Sequence, residues 1–194
     1  MPTRWEGLNP PYSTIVADPP WAYDDGFPQG PSGGTGWSRI RLPYSSMGAG
    51  EIEALPVADL ARRAGTRLFL WTTNRYLPVA FSVMAAWGFR YRQAITWRKT
   101  GDPSPFVRSV APQHSEYLLV GSVGNPPRLD SFPSSVIDAP AQAHSGKPAL
   151  FLDLVERVSP GPYLELFARQ PRLGWDSWGW GYEDKALAEL EAKP

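Results

Sequence analysis

Thr14-Ile15-Val16-Ala17 is an apolar, β-branched run that ends abruptly at Asp18-Pro19-Pro20-Trp21. It reads as a buried strand. The two prolines lack an N–H and cannot extend a sheet ladder, so they set the strand's C-terminal end. Similar runs recur at Arg67-Leu68-Phe69-Leu70-Trp71-Thr72-Thr73, Arg90 to Trp97, Glu116-Tyr117-Leu118-Leu119-Val120 and Tyr163-Leu164-Glu165-Leu166-Phe167, with Trp175 to Trp180 as a short sixth. Helical stretches lie between them. Glu51 to Arg63 carries Ile52, Leu55 and Leu60 around an internal Pro56, and Leu77 to Trp87 is closed by Gly88. Lys147-Pro148 opens a helix to about Val158, with Leu150, Phe151, Leu154, Val155 and Val158 on one face. Strands alternating with helices predict an α/β sandwich with a mostly parallel central sheet and helices on both faces, in which ligands sit at the C-terminal strand edges. Segments 22–50 and 99–113 read as long loops on the substrate side, 121–135 is turn-rich, and 183–192 reads as a solvated helix in the C-terminal tail. No composition break divides the 194 residues, so a single domain over 1–194 is expected.

Composition narrows the chemistry. With 42% apolar and 20% charged residues the chain is globular. It has no cysteine, which excludes a disulfide framework, an iron–sulfur cluster and a thiol nucleophile. Its two histidines, His114 and His144, stand thirty residues apart, and no metal centre is expected from them. Basic and acidic residues number 19 each, which argues against a chain coated in nucleic acid but leaves room for a local basic cleft. No apolar run reaches membrane-span length and no signal-peptide core opens the chain, so a cytoplasmic protein is expected. The 22 prolines punctuate rather than repeat, and Trp71, Trp87 and Trp97, among the nine tryptophans, read as packing residues.

Familiar phosphate-loop patterns fail. Gly30-Pro31-Ser32-Gly33-Gly34-Thr35-Gly36 follows no strand and opens no helix, and Gly146-Lys147 is followed by Pro148 rather than Ser or Thr. Asp18-Pro19-Pro20-Trp21 is more informative. A carboxylate stands where a strand ends, and Pro19 and Pro20 stiffen the backbone and aim its carbonyls. Carboxylate and carbonyl are both acceptors, so together they can take both hydrogens of an exocyclic NH2 and free its lone pair. Trp21 offers a flat face worth roughly 1–3 kcal/mol of stacking to a nucleobase. The plain alternative is a proline turn with a core tryptophan.

Ala17-Asp18-Pro19-Pro20-Trp21, then Leu42-Pro43-Tyr44 with Met47, then Leu68-Phe69-Leu70-Trp71 resemble the MT-A70-like family of adenine N6-methyltransferases. Glu116 to Gly121 with Gly124-Asn125-Pro126, His144-Ser145-Gly146-Lys147-Pro148, Glu156 to Gly161, and Leu164 to Arg169 with Gly174-Trp175 and Gly179 follow in the family's order. The resemblance covers about residues 12–181. It implies a Rossmann-like class I methyltransferase fold with circularly permuted motifs: catalytic strand first, cofactor strand last. It also implies S-adenosylmethionine as donor, with no metal. Carried over by position, Asp18 and the Pro19 carbonyl would hold the target amine, beside Pro20, while Trp21 would wall the base pocket and Tyr44 would lie near the substrate. Lys147, Phe167, Arg169 and Gly179 match cofactor-side positions, with Asp18 shared between the two halves. Where relatives carry Asn followed by Gln or Glu after the last glycine, this chain has Trp180-Gly181, and Arg172 replaces an amide found in some relatives. Asp176 is the nearby acid that charge and position suggest for the ribose.

The chemistry so implied is direct attack of the adenine 6-amino nitrogen on the sulfonium methyl, with a duplex base flipped out first at a few kcal/mol. Arg39, Arg41, Arg90, Arg92, Arg98, Lys99 and Arg108 form a candidate backbone-phosphate surface, with ordinary solvated charge as the alternative. The leading expectation is a phage or bacterial enzyme acting on DNA. The same reaction on RNA and a catalytically inactive nucleic-acid-binding partner of such an enzyme are the alternatives. The resemblance also admits a homodimer or a heteromeric partner subunit.

Overall fold

The computed structural model describes residues 5, 7–22, 46–101, 111–142 and 146–179. Seven strands form one sheet there: β1 (Thr14–Ala17), β2 (Gly65–Thr73), β3 (Arg90–Thr100), β4 (Ser115–Gly124), β5 (Val136–Pro140), β6 (Tyr163–Leu166) and β7 (Trp175–Trp178). Their spatial order is β5-β3-β4-β2-β1-β6-β7. β4 pairs antiparallel with both β2 and β3, and every other neighbouring pair is parallel. The sheet is therefore mostly parallel, with one reversed strand. β1 is central, and the last two strands of the chain add to the side that β2 leaves open. This is a Rossmann-like α/β arrangement whose crevice lies between the ends of β1 and β6.

Helices cover both faces, as the alternating pattern predicts. α1 (Ala49–Glu53) and α2 (Leu77–Ala86) lie on the face carrying Ile15, Leu68, Leu70 and Leu164. The Trp87 indole N–H donates to the Ile52 carbonyl at 2.9 Å and ties the two helices together. α3 (Leu150–Val158) covers the other face, where Phe151, Leu154, Val155 and Val158 pack against Val16, Phe69 and Trp71. The Phe151 ring meets Trp71 edge-on at 4.8 Å and Trp97 at 6.2 Å. Trp71, Trp87 and Trp97 are all buried in the core.

The expected helix over 51–63 is instead two pieces, α1 and a 3-10 turn at Val57–Leu60. Pro56 separates them, since a proline in a helix interior loses a hydrogen bond and clashes with the preceding turn. β3 and β4 outrun their predicted ends, and β5 went unread because its Val-Ile-Asp-Ala-Pro segment is short and ends in proline. β5 pairs only with Thr96–Thr100, so among the described residues no strand pairs with 90–95 on that side, and a bulge lies between Tyr91 and Gln93. At the far end of the sheet Gly124 has φ +59, and a Cβ there would lie 2.5 Å from the Ala64 carbonyl, so only glycine fits. The tail, and residues 23–45 and 102–110 of the predicted loops, lie outside the described residues.

Phe151→Ala should cost about 3–5 kcal/mol, because it empties a pocket between two tryptophans that cannot collapse. Urea unfolding followed by tryptophan fluorescence measures it. A loss below about 1 kcal/mol would mean that α3 does not anchor this face.

Candidate active site

The C-terminal edge of the parallel strands collects charge. Asp18 directly follows β1, and its N–H donates to the Leu166 carbonyl at 3.3 Å, holding it against the end of β6. Its carboxylate accepts from the Lys147 ammonium at 2.8 and 2.9 Å, and the Arg169 guanidinium approaches to 3.4 Å. Lys147 also lies 3.4 Å from Glu116, which accepts from Lys99 at 2.5 Å. The result is a chain of alternating charge: Lys99, Glu116, Lys147, Asp18, Arg169.

Topology explains the assembly. Because β4 runs backwards, its beginning lies at the edge where the other strands end, and Glu116 pairs in register with Thr73, the last residue of β2. Lys147 and Asp18 keep only 16% of their side-chain surfaces exposed. Burial pushes the Lys147 ammonium down, but the Asp18 and Glu116 carboxylates outweigh it and the net shift is upward. Lys147 therefore stays charged at neutral pH. Its ammonium also lies 5.5 Å from the Trp71 ring, and Lys99 lies 4.9 Å from Trp97.

Two backbone hydrogen bonds define the proline turn. The Trp21 N–H donates to the Pro19 carbonyl at 2.9 Å, and the Met47 N–H donates to the Pro20 carbonyl at 2.8 Å. One lone pair of the Pro19 oxygen is thus engaged, and among the described residues no second donor is recorded on it. Trp21 itself is buried, its ring stacked on Tyr76 at 5.4 Å and its N–H on the Trp71 carbonyl at 3.3 Å. The core-tryptophan alternative thus describes much of its surroundings, and a pocket-wall role would have to use the ring face turned from Tyr76.

On the other side of β1, Phe167 ends β6 with φ 64, a left-handed conformation uncommon for a bulky residue and typical of functional turns. It is 7% exposed and meets Trp178 edge-on at 5.5 Å. Gly179 passes so close to this turn that a Cβ would lie 2.3 Å from the Ala168 carbonyl. Asp176 is not brought to the cluster. It sits within β7 opposite Leu164, and its carboxylate accepts the Tyr12 hydroxyl. Burial and that carboxylate both push the Tyr12 phenol up. Arg98 pairs with Asp138 at 2.5–2.7 Å on the surface, and Arg172 with Asp153 and Glu156 of α3 at 2.7 and 2.8 Å. Arg39, Arg41, Tyr44, Arg108, His144, Trp180 and Gly181 lie outside the described residues.

Two carboxyls were not singled out from the sequence. Glu116 opens an apolar strand, a signal only once that strand's direction is known. Glu165 lies inside β6 beside Val16 and Ser177, and the Ser177 hydroxyl is buried with no hydrogen-bond partner among the described residues. Burial first, and the Asp18 charge second, raise the Glu165 carboxyl to about 7.

The MT-A70 family profile matches residues 12–181. A putative N(6)-adenosine-methyltransferase MT-A70-like protein of Medicago truncatula is 30% identical over 176 residues, covering 87% of this chain and 26% of its own length. The N(6)-adenosine-methyltransferase catalytic subunit METTL3 of Homo sapiens is 28% identical and covers 81% of this chain and 26% of its own. The chain thus spans about a quarter of the length of these eukaryotic relatives. The type II methyltransferase M.MunI of a Mycoplasma species is 27% identical over 191 residues, covering 91% of this chain and 80% of its own length.

Glu165→Gln gives a test by pH. A carboxyl raised from 4.5 to about 7 by folding contributes fully below about 4.5, and its contribution falls as pH climbs through 7. The neutral amide avoids that fall. The variant's melting temperature should match the parent's near pH 4 and exceed it by several degrees near pH 8. A difference that stays constant with pH would show that Glu165 is not held protonated.

Proposed function

The chain belongs to the MT-A70 family, and on that premise we propose that it is an S-adenosylmethionine-dependent methyltransferase acting on the exocyclic 6-amino group of adenine in DNA. The observation that carries this reading is the partly buried Asp18–Lys147–Glu116 group at the C-terminal ends of β1 and β6. The donor's amino-acid end is a zwitterion, and the residues present fit it. Asp18 suits an ammonium, and Lys147 and Arg169 suit a carboxylate. Ser177 and Glu165 offer an unpartnered hydroxyl and a carboxyl raised to about 7 on the cofactor side, a polar pair suited to ribose hydroxyls where Trp180-Gly181 departs from relatives and Asp176 is engaged by Tyr12.

When bound, the donor supplies a methyl group made electrophilic by its sulfonium. The chain's own part is placement and desolvation. Asp18 and the second lone pair of the Pro19 carbonyl accept the two hydrogens of the target NH2 and orient its nitrogen. Once methylated, that nitrogen is acidic, and an Asp18 oxygen can take its proton. Lys147 pairs with both Asp18 oxygens and positions the carboxylate for both tasks, and Glu116 holds Lys147 in position. No nucleophile on the protein is required.

DNA is favoured by the similarity to the type II methyltransferase, of which this chain covers 80%. RNA is the second reading, supported by the adenosine-methyltransferase names of the eukaryotic relatives. The protein is incubated with the donor and matched DNA and RNA oligonucleotides, single- and double-stranded, followed by nucleoside mass analysis. N6-methyldeoxyadenosine is the expected product. N6-methyladenosine alone would move the assignment to RNA, and neither product with intact donor binding would favour a non-catalytic partner.

Asp18→Ala should lower methylation by about 100-fold or more, since the amine loses its acceptor and its orientation. Single-turnover transfer measures this. Parental turnover in the variant would overturn the assignment of Asp18.

A further inference from the structure

The arginines that the sequence grouped with the substrate loops separate in space. Arg98 and Lys99 sit at the catalytic edge, but Arg90 and Arg92 open β3 at the opposite edge, about 30 Å of strand away. There they meet others. Arg62 and Arg63 stand on the turn into β2, Arg67 lies two strands from Arg90 with Ser122 of β4 between them, and Arg128 follows the end of β4. All but Arg67 are exposed. Backbone bonds knit the belt together: the Asn125 N–H donates to the Ala64 carbonyl at 3.0 Å, and the Gly65 N–H to the Arg62 carbonyl at 3.0 Å.

None of these six arginines takes part in an ion pair among the described residues. Arg67 donates to the carbonyls of Pro126, Pro127 and Val158 and to the Ser159 hydroxyl, so its hydrogen bonds are met and its charge is not. Arg92 donates to the Ser122 hydroxyl at 2.8 Å. Asp130, two residues after Arg128, is itself paired with Arg157. In a chain with equal numbers of basic and acidic residues, six guanidinium groups without an ion pair among the described residues make this edge a concentrated positive field, tempered at Arg128 by the Asp130 charge. Burial first, and the neighbouring Arg128 charge second, push Arg67 below its usual range.

We propose that this rear edge, Arg62, Arg63, Arg67, Arg90, Arg92 and Arg128, is a second nucleic-acid interface that grips the phosphate backbone of the substrate away from the methyl-transfer site. Arginine suits the task because its planar fork meets phosphate oxygens two at a time. Among the described residues no strand pairs with the outer side of residues 90–95 of β3. The surface reads no sequence. It adds affinity and fixes how the strand lies, while the catalytic edge selects the base. The inference rests on the reading of the catalytic edge as acting on nucleic acid, but its test does not use methylation.

Arg63→Gln, Arg90→Gln, Arg92→Gln and Arg128→Gln are combined, leaving Arg67 in its structural bonds. Binding of fluorescent oligonucleotides of about 30 residues, single- and double-stranded, is followed by anisotropy across salt without donor. The combined variant should lose about 10-fold or more in affinity, and its slope of log affinity against log salt should shrink by about three. Donor affinity and melting temperature should stay at parental values. Unchanged affinity and slope would overturn the proposal, as would a parental protein that binds neither oligonucleotide. A parental protein that binds through this edge yet transfers no methyl group would keep the surface and remove the catalytic reading.

Discussion

Lys147 holds its charge between two carboxylates, and the C-terminal edge of the parallel strands is organised around that one ammonium. The pair with Asp18 at 2.8 Å joins the loop before α3 to the end of β1, and the approach to Glu116 at 3.4 Å joins both to the start of β4. Removing one member of such a partly buried group strands the others, at about 3–5 kcal/mol. The charges therefore hold three chain segments in place as well as forming a site. In the proposed reading, a zwitterionic donor would give Asp18 and Lys147 new partners of opposite charge to their own.

The prolines made this edge legible. Asp18-Pro19-Pro20 marks where β1 ends, and the turn aims the carbonyls with two backbone hydrogen bonds. The helix opening after Pro148 and the last strand pair could be placed from the same kind of punctuation. Strand direction could not. Glu116 looked like the first residue of an ordinary apolar strand, and only the reversal of β4 carries it to the active edge. The basic segment from Arg90 to Lys99 misled for a related reason: an extended strand carries its two ends to opposite sides of the domain.

The cofactor side was harder to read because its polar residues belong to several elements. Asp176 has the expected charge, but its strand register turns it toward Tyr12. Glu165 and Ser177 became visible only as neighbours on paired strands. Phe167 adds a feature that composition does not announce, a bulky residue in the left-handed region where the chain must swing away from β6 beside Gly179. Its conformation is sustained by the Trp178 ring and by the Ala168 N–H donating to the Trp178 carbonyl at 3.1 Å. Strain of this kind persists where surrounding structure over-determines it.

The short reach of β5 bears on solubility. Among the described residues half of β3 has no strand partner on its outer side, and such an edge is the template from which one sheet recruits another and aggregation begins. Arg90, Arg92 and the bulge between Tyr91 and Gln93 stand on that stretch. Two like charges and a kink repel and misalign an incoming copy, so the same guanidinium groups act as gatekeepers against fibril-like stacking.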